Sequence, residues 1–105
     1  MNDPKRAMKF LGDAISELRP DLDPMQKAGL YGGLTAILND LDKWVEDYAN
    51  ADGYSFEKIG QIRWHVAAAL GLDIDNDHAA DQHRVFAYGA LSSLESQLSR
   101  IPTQE

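Results

Sequence analysis

Residues 24–50, PMQKAGLYGGLTAILNDLDKWVEDYAN, decide the fold. Large apolar side chains recur at Leu30, Tyr31, Leu34, Ile37, Leu38, Leu41, Trp44, Val45 and Tyr48, the three-and-four spacing of one helical face. On a helical wheel they fall within roughly 140°. The stretch therefore reads as one long helix. Its opposite side carries Gly29, Gly32, Gly33 and Ala36 first, then Asn39, Asp40, Lys43, Glu46 and Asp47. A mid-helix glycine costs about 1 kcal/mol against alanine, so three of them require a reason. Close approach of another backbone supplies one, and implies that this half of the helix is enclosed on two faces.

Working outward, Asp3-Pro4 has the form of a helix start, with aspartate as cap and proline in the first turn. Ala7, Met8, Leu11, Ala14, Ile15 and Leu18 make its apolar stripe, with Phe10 beside it, and Pro20 ends it. Asp23-Pro24 repeats the start signal for the long helix, which runs out near Gly53, where a left-handed residue closes it. A third helix takes Ser55 as cap and buries Phe56, Ile59, Ile62, Val66 and Leu70 before Gly71. Asp77 caps a fourth, with Ala87, Tyr88, Leu91, Leu94 and Leu98 inward and Pro102 as the stop. No segment has the alternation of a strand. The expectation is a single all-α domain over 1–105, an up-down four-helix bundle with helices of about 4–18, 24–50, 56–70 and 78–99 and one long central helix.

A chain of 105 residues can bury roughly two-thirds of its unfolded surface in one core. With no cysteine, disulfides and thiol chemistry are excluded. No apolar run reaches the roughly 18 residues of a membrane span, and Lys9 and Asp13 interrupt any signal-peptide core, so the expected location is cytoplasmic, without a membrane partner. The net charge is −7, and residues 40–81 hold ten acids against three bases, while the rest of the chain balances at seven against seven. Such a field repels phosphate backbones and draws in cationic partners, so nucleic acid is not expected.

The candidate chemistry is sparse. Asp73-x-Asp75-x-Asp77 begins like a calcium loop, but His78 stands where the turn needs glycine and Arg84 where a closing glutamate belongs. His78, Asp81 and His83 do not converge on a helical wheel, and His65 stands apart beside Trp64. No nucleophile–base pair, zinc helix motif or strand-linked glycine loop is present, so the reading is of no enzyme, no metal and no cofactor. Trp64 falls about 140° from the middle of its helix's apolar face. On the outer side it would join His65 and nearby acids as an aromatic anchor in a charged rim, bordered by Tyr54, Glu46 and Asp47; inside a sandwiched helix it would be core. Tyr31-Gly-Gly-Leu-Thr-Ala-Ile and Tyr88-Gly-Ala-Leu-Ser-Ser-Leu also echo one another, as duplicated hairpins or as two answers to one packing problem.

In helices three and four, the order Ile59-Gly60-x-Ile62, Ala67, the acidic loop Asp73 to Asp77, Ala80-Asp81 and Ala87-Tyr88-Gly89 resembles a family of small helical immunity proteins. These guard bacteria against toxins delivered by type VI secretion, including NAD-degrading ones. The resemblance covers about 30 of the 105 residues and implies action by occlusion. The functional expectation is a protein–protein interaction module, an inhibitor that covers a basic toxin or enzyme site with Glu46, Asp47, Tyr54, Trp64, His65, Asp73, Asp75 and Asp77. The alternative is a structural or adaptor protein, a homodimer joined through the glycine side of the long helix.

Overall fold

The computed structural model describes residues 4–48, 53–73 and 77–99. It contains four helices and, among the described residues, no strand: α1 (Pro4–Ile15), α2 (Pro24–Tyr48), α3 (Gly53–Ala69) and α4 (Ala80–Leu98). Each helix packs on its neighbours in sequence, and α4 closes the ring on α1. Gly71, after α3, lies 3.6 Å (from its would-be Cβ) from Pro20, between α1 and α2, so the two connections share one end of the bundle. The expected all-α class and four-helix bundle hold, in a body of 41 × 26 × 17 Å. At about 1.5 Å per residue, α2 spans nearly the whole long axis.

Local chemistry explains most boundaries. At the start of α2 the Asp23 carboxylate accepts the Gln26 N–H (2.8 Å) and the Gln26 side chain accepts the Asp23 N–H (3.3 Å), a reciprocal cap. α1 ends at Ile15, three residues before the expected Leu18, because the chain tightens there: Glu17 and Leu18 donate to Ala14 and Ile15 (3.1 Å each). Leu18 is buried all the same. At the end of α3, Gly71 takes φ +75°, while its N–H reaches the Ala68 carbonyl (3.0 Å) and the Leu72 N–H reaches that of Ala67 (2.8 Å). This six-to-one, five-to-two pairing satisfies carbonyls that helix ends leave orphaned.

Three boundary expectations are corrected. Gly53 opens α3 and does not close α2. Ser55 is fully buried inside the first turn and does not stand ahead of the helix. Asp77 is not the cap of α4: Ala79 is, and only the Gln82 side chain reaches back, accepting the Ala79 N–H at 2.8 Å. Asp3, Pro102 and the expected last turn of α2 at 49–50 lie outside the described residues.

The core is one cluster drawn from all four helices, including Leu11, Ile15, Leu38, Leu41, Ile62, Val66, Leu91 and Leu94. The stripe of α2 is buried from Leu34 to Val45; Leu30 and Ile37 are half-buried and Tyr31 is exposed, while the side chain of Tyr48 lies outside the described residues. Tyr88 is likewise exposed, at the rim and not inward; its hydroxyl donates to the Gly12 carbonyl (3.1 Å). The echoed segments thus place tyrosine at a rim and leucine in the core.

The glycine argument is overturned. A Cβ at Gly29, Gly32 or Gly33 would meet nothing within 4 Å. Before Leu34, α2 has no buried residue, and its first turns run along an open edge of the bundle. Gly12 has a neighbour, but only at ordinary van der Waals distance: a Cβ there would lie 3.7 Å from the Leu91 side chain.

Candidate interaction surface

Trp64 is on the outside. It is 43% exposed, so its outward reading holds over that of a core residue. The ring is not loose. It stands edge-on to His83 (centroids 4.8 Å, interplanar 87°) and tilted over His65 (5.0 Å). Phe86, 38% exposed, continues the patch, 5.4 Å from His65 and 5.2 Å from His78. Edge-to-face packing of this kind holds rings in preferred geometries. An exposed aromatic surface thus runs across α3 and α4, which share the most extensive helix–helix contact of the fold.

The imidazoles beneath it gather in a way that the wheel reading of one helix did not anticipate. His83 is buried, 1% exposed, and its Nδ1 lies 3.0 Å from Nδ1 of half-buried His65. At that distance one ring donates an N–H to the bare nitrogen of the other. His78 stands edge-on to His83 (5.8 Å). It precedes α4, so helical spacing from His83 says nothing about where its ring goes. Two signals could have located the pair. His83 is four residues before Ala87, seven before Ala90 and eleven before Leu94, squarely on the buried stripe of α4. His65 and His83 are also equidistant from residue 74, so an antiparallel α3–α4 hairpin sets them level.

The remaining expected contact residues do not form one surface. Asp73 and Asp77 are exposed on the α3–α4 connection, at the Trp64 end; Asp75 lies outside the described residues. Tyr54, 44% exposed, is ten residues earlier on α3, about 15 Å along the axis. Its ring faces a cation, Lys58 Nζ at 5.2 Å from the centroid, where the expectation set it among acids. Lys58 and Glu57 are linked through the Gln61 side chain (3.4 and 3.5 Å). Glu46 and Asp47 are exposed on the last turns of α2. Antiparallel packing puts them at the Tyr54 end: Arg63 of α3, next to Trp64, pairs with Asp42 and Asn39 of α2, so residues later in α2 lie level with residues earlier in α3. The candidate set divides into a Trp64–His65 face flanked by Asp73 and Asp77, and a separate Tyr54, Glu46 and Asp47 group.

Elsewhere an open groove of 580 Å³ is lined by Ser16, Glu17, Arg19, Leu22, Gln26, Leu30 and Arg84. Each of its arginines has an aspartate nearby, Asp21 at 3.7 Å and Asp81 at 3.8 Å. Among the described residues, no three His, Asp or Glu side chains are grouped to hold a metal ion, and no helix is long and apolar enough to cross a membrane. Compared with known proteins, the chain matches no family model, no curated protein and no solved structure.

Proposed function

We propose that this chain is a non-enzymatic protein–protein interaction module of the cytoplasm, an inhibitor of the immunity type that covers a basic site on its partner. The observation that carries the reading is Trp64: a large aromatic ring, 43% exposed, yet held between His83 and His65. Interface energy concentrates in such anchors, and an anchor already in place loses less side-chain freedom on binding. The flanking charge is predominantly acidic, with Asp73, Asp77 and Asp81 exposed around the α3–α4 connection, Arg63 and Arg84 drawn to Asp42 and Asp81, and a net charge of −7 overall. That field steers a cationic surface toward the aromatic patch, so the association rate falls steeply as salt is added.

The test is binding of the purified chain to the protein encoded beside it, and protection of cells expressing that protein. Trp64→Ala with Asp73→Lys is expected to weaken binding by at least about 30-fold, the loss of one anchor residue of ~2 kcal/mol. Unchanged affinity in that double variant, or rates indifferent to salt, overturns the proposal.

A second reading, self-association through α2, is favoured by the openness of its glycine edge. Met25 is 86% exposed, and Gly29, Gly32 and Gly33 meet nothing inside the monomer. Sedimentation across a range of concentrations decides it: a strict monomer removes this reading and leaves the first untouched.

A further inference from the structure

We infer that the outer side of the α3–α4 pair is the seat for a single helix of the partner, an amphipathic helix with a basic rim. The inference rests on the reading of Trp64 as the partner's anchor and goes beyond it by naming what sits there. Trp64 and Phe86 both lean on the His65–His83 pair, whose contact sets the level of one helix against the other. One turn before Trp64, on the same face of α3, stands Gly60; one turn after Phe86, on the same face of α4, stands Gly89. Gly60 is five residues before His65 and Gly89 six after His83, so antiparallel packing brings the glycines level to within about 2 Å along the axis. Both are exposed, and a Cβ at either would meet nothing within 4 Å. The surface has aromatic rings at one end and bare backbone beside them.

The exposed rings carry the inference, and the glycines give the seat its shape. Side chains of a docking helix fit into the furrows of the helices beneath, and missing side chains let its backbone come close. A helix with apolar residues three and four apart would set them against Trp64 and Phe86 while it crosses Gly60 and Gly89. An extended segment gains no such fit, since it pairs with a sheet edge and α3 and α4 spend their backbone groups on themselves. The rim supplies the sign of the charge. Asp77 and Asp81 are exposed where His78 packs on Phe86, and Glu57, one turn beyond Gly60 on α3, is exposed at the other end. The nearby cations are turned elsewhere, Arg63 to Asp42, Arg84 to Asp81 and Lys58 to the Tyr54 ring. Acids at both ends of an apolar seat complement lysines and arginines along the edges of the incoming helix.

The probe is a synthetic peptide of about 18 residues, five helical turns, with leucines on one face and lysines and arginines on the others. Titrated into the full chain at low salt, it is expected to bind saturably at one per chain, to gain helix by circular dichroism and to shift tryptophan emission. Trp64→Phe should remove most of that shift, because Trp44 is buried in the core. Two control peptides, one with glutamates in place of the basic residues and one of unchanged charge broken by central prolines, should each bind at least tenfold more weakly. The decisive variant is Gly60→Leu with Gly89→Leu. Open space at both positions lets it keep the fold, checked by thermal unfolding, while the leucines fill the seat and lower affinity tenfold or more. Equal affinity in the folded double variant, equal binding of either control peptide, or no saturable binding of the basic helix overturns the assignment. Against the protein encoded beside this one, the same variants separate the two readings. Loss with Trp64→Ala but not with the leucine pair overturns the helix seat and leaves the anchor standing, and unchanged binding in both overturns the anchor as well.

Discussion

Gly32→Ala should stabilise the protein, and by a calculable amount. Gly32 is exposed in the interior of α2, and a Cβ there would meet nothing within 4 Å, so the substitution carries no packing penalty. What remains is the helix preference of alanine over glycine, about 0.8–1.0 kcal/mol, much of it from the smaller backbone freedom of the unfolded chain. For a domain near 100 residues, 1 kcal/mol moves the melting temperature by roughly 4–8 °C, so an upward shift of several degrees is expected. The assay is thermal unfolding by far-ultraviolet circular dichroism, with Gly71→Ala as the counterpart. Gly71 holds φ +75° in the turn that ends α3, where an L side chain costs about 1–2 kcal/mol, so that variant should melt several degrees lower. The two glycines thus give opposite signs for one chemical change. If Gly32→Ala melts lower, the open edge of α2 is covered in solution, and the account of that helix fails. Should the chain self-associate, the same variant separates the effects: a more stable monomer with a weaker dimer.

Ala79→Ser supplies the side-chain oxygen that the start of α4 lacks; with Ala79 extended at φ −74°, ψ 158°, stabilisation of about 1 kcal/mol is expected in chemical denaturation, and no gain would contradict the cap assignment. Leu94→Ala empties a fully buried position in the core cluster and should cost ~2–5 kcal/mol, seen as a fall in denaturant midpoint; a loss below about 1 kcal/mol would mean that the α3–α4 packing is misplaced. Asp42→Asn removes the partner of Arg63 between α2 and α3, at a site about one-third exposed, so the loss should stay below ~1 kcal/mol and shrink in high salt; a larger, salt-independent loss would be inconsistent with a partly solvated pair.

Number, approximate extent and inward faces of the helices were legible in the sequence. Helix formation and burial periodicity are properties of residues three and four apart, and Asp23, Gly71 and the stripes of α1 and α4 carry those signals within one turn. The same arithmetic set Trp64 opposite its helix's apolar face but left open whether it was outside or sandwiched core; the packing put it outside. What the linear pattern did not hold was which residue answers which across helices. The glycines of α2 suggest a neighbour as readily as they suggest an open edge, because a missing side chain does not say whether anything fills its place; only the packing of the four helices left them bare. His65 and His83, eighteen residues apart on different helices, meet because α3 and α4 fold back antiparallel about their connection, and Tyr54 parts from Trp64 because ten residues of helix are a fixed length. Local periodicity determined the elements and their inner faces. Long-range contact decided that the outer face is an aromatic patch laid over paired imidazoles.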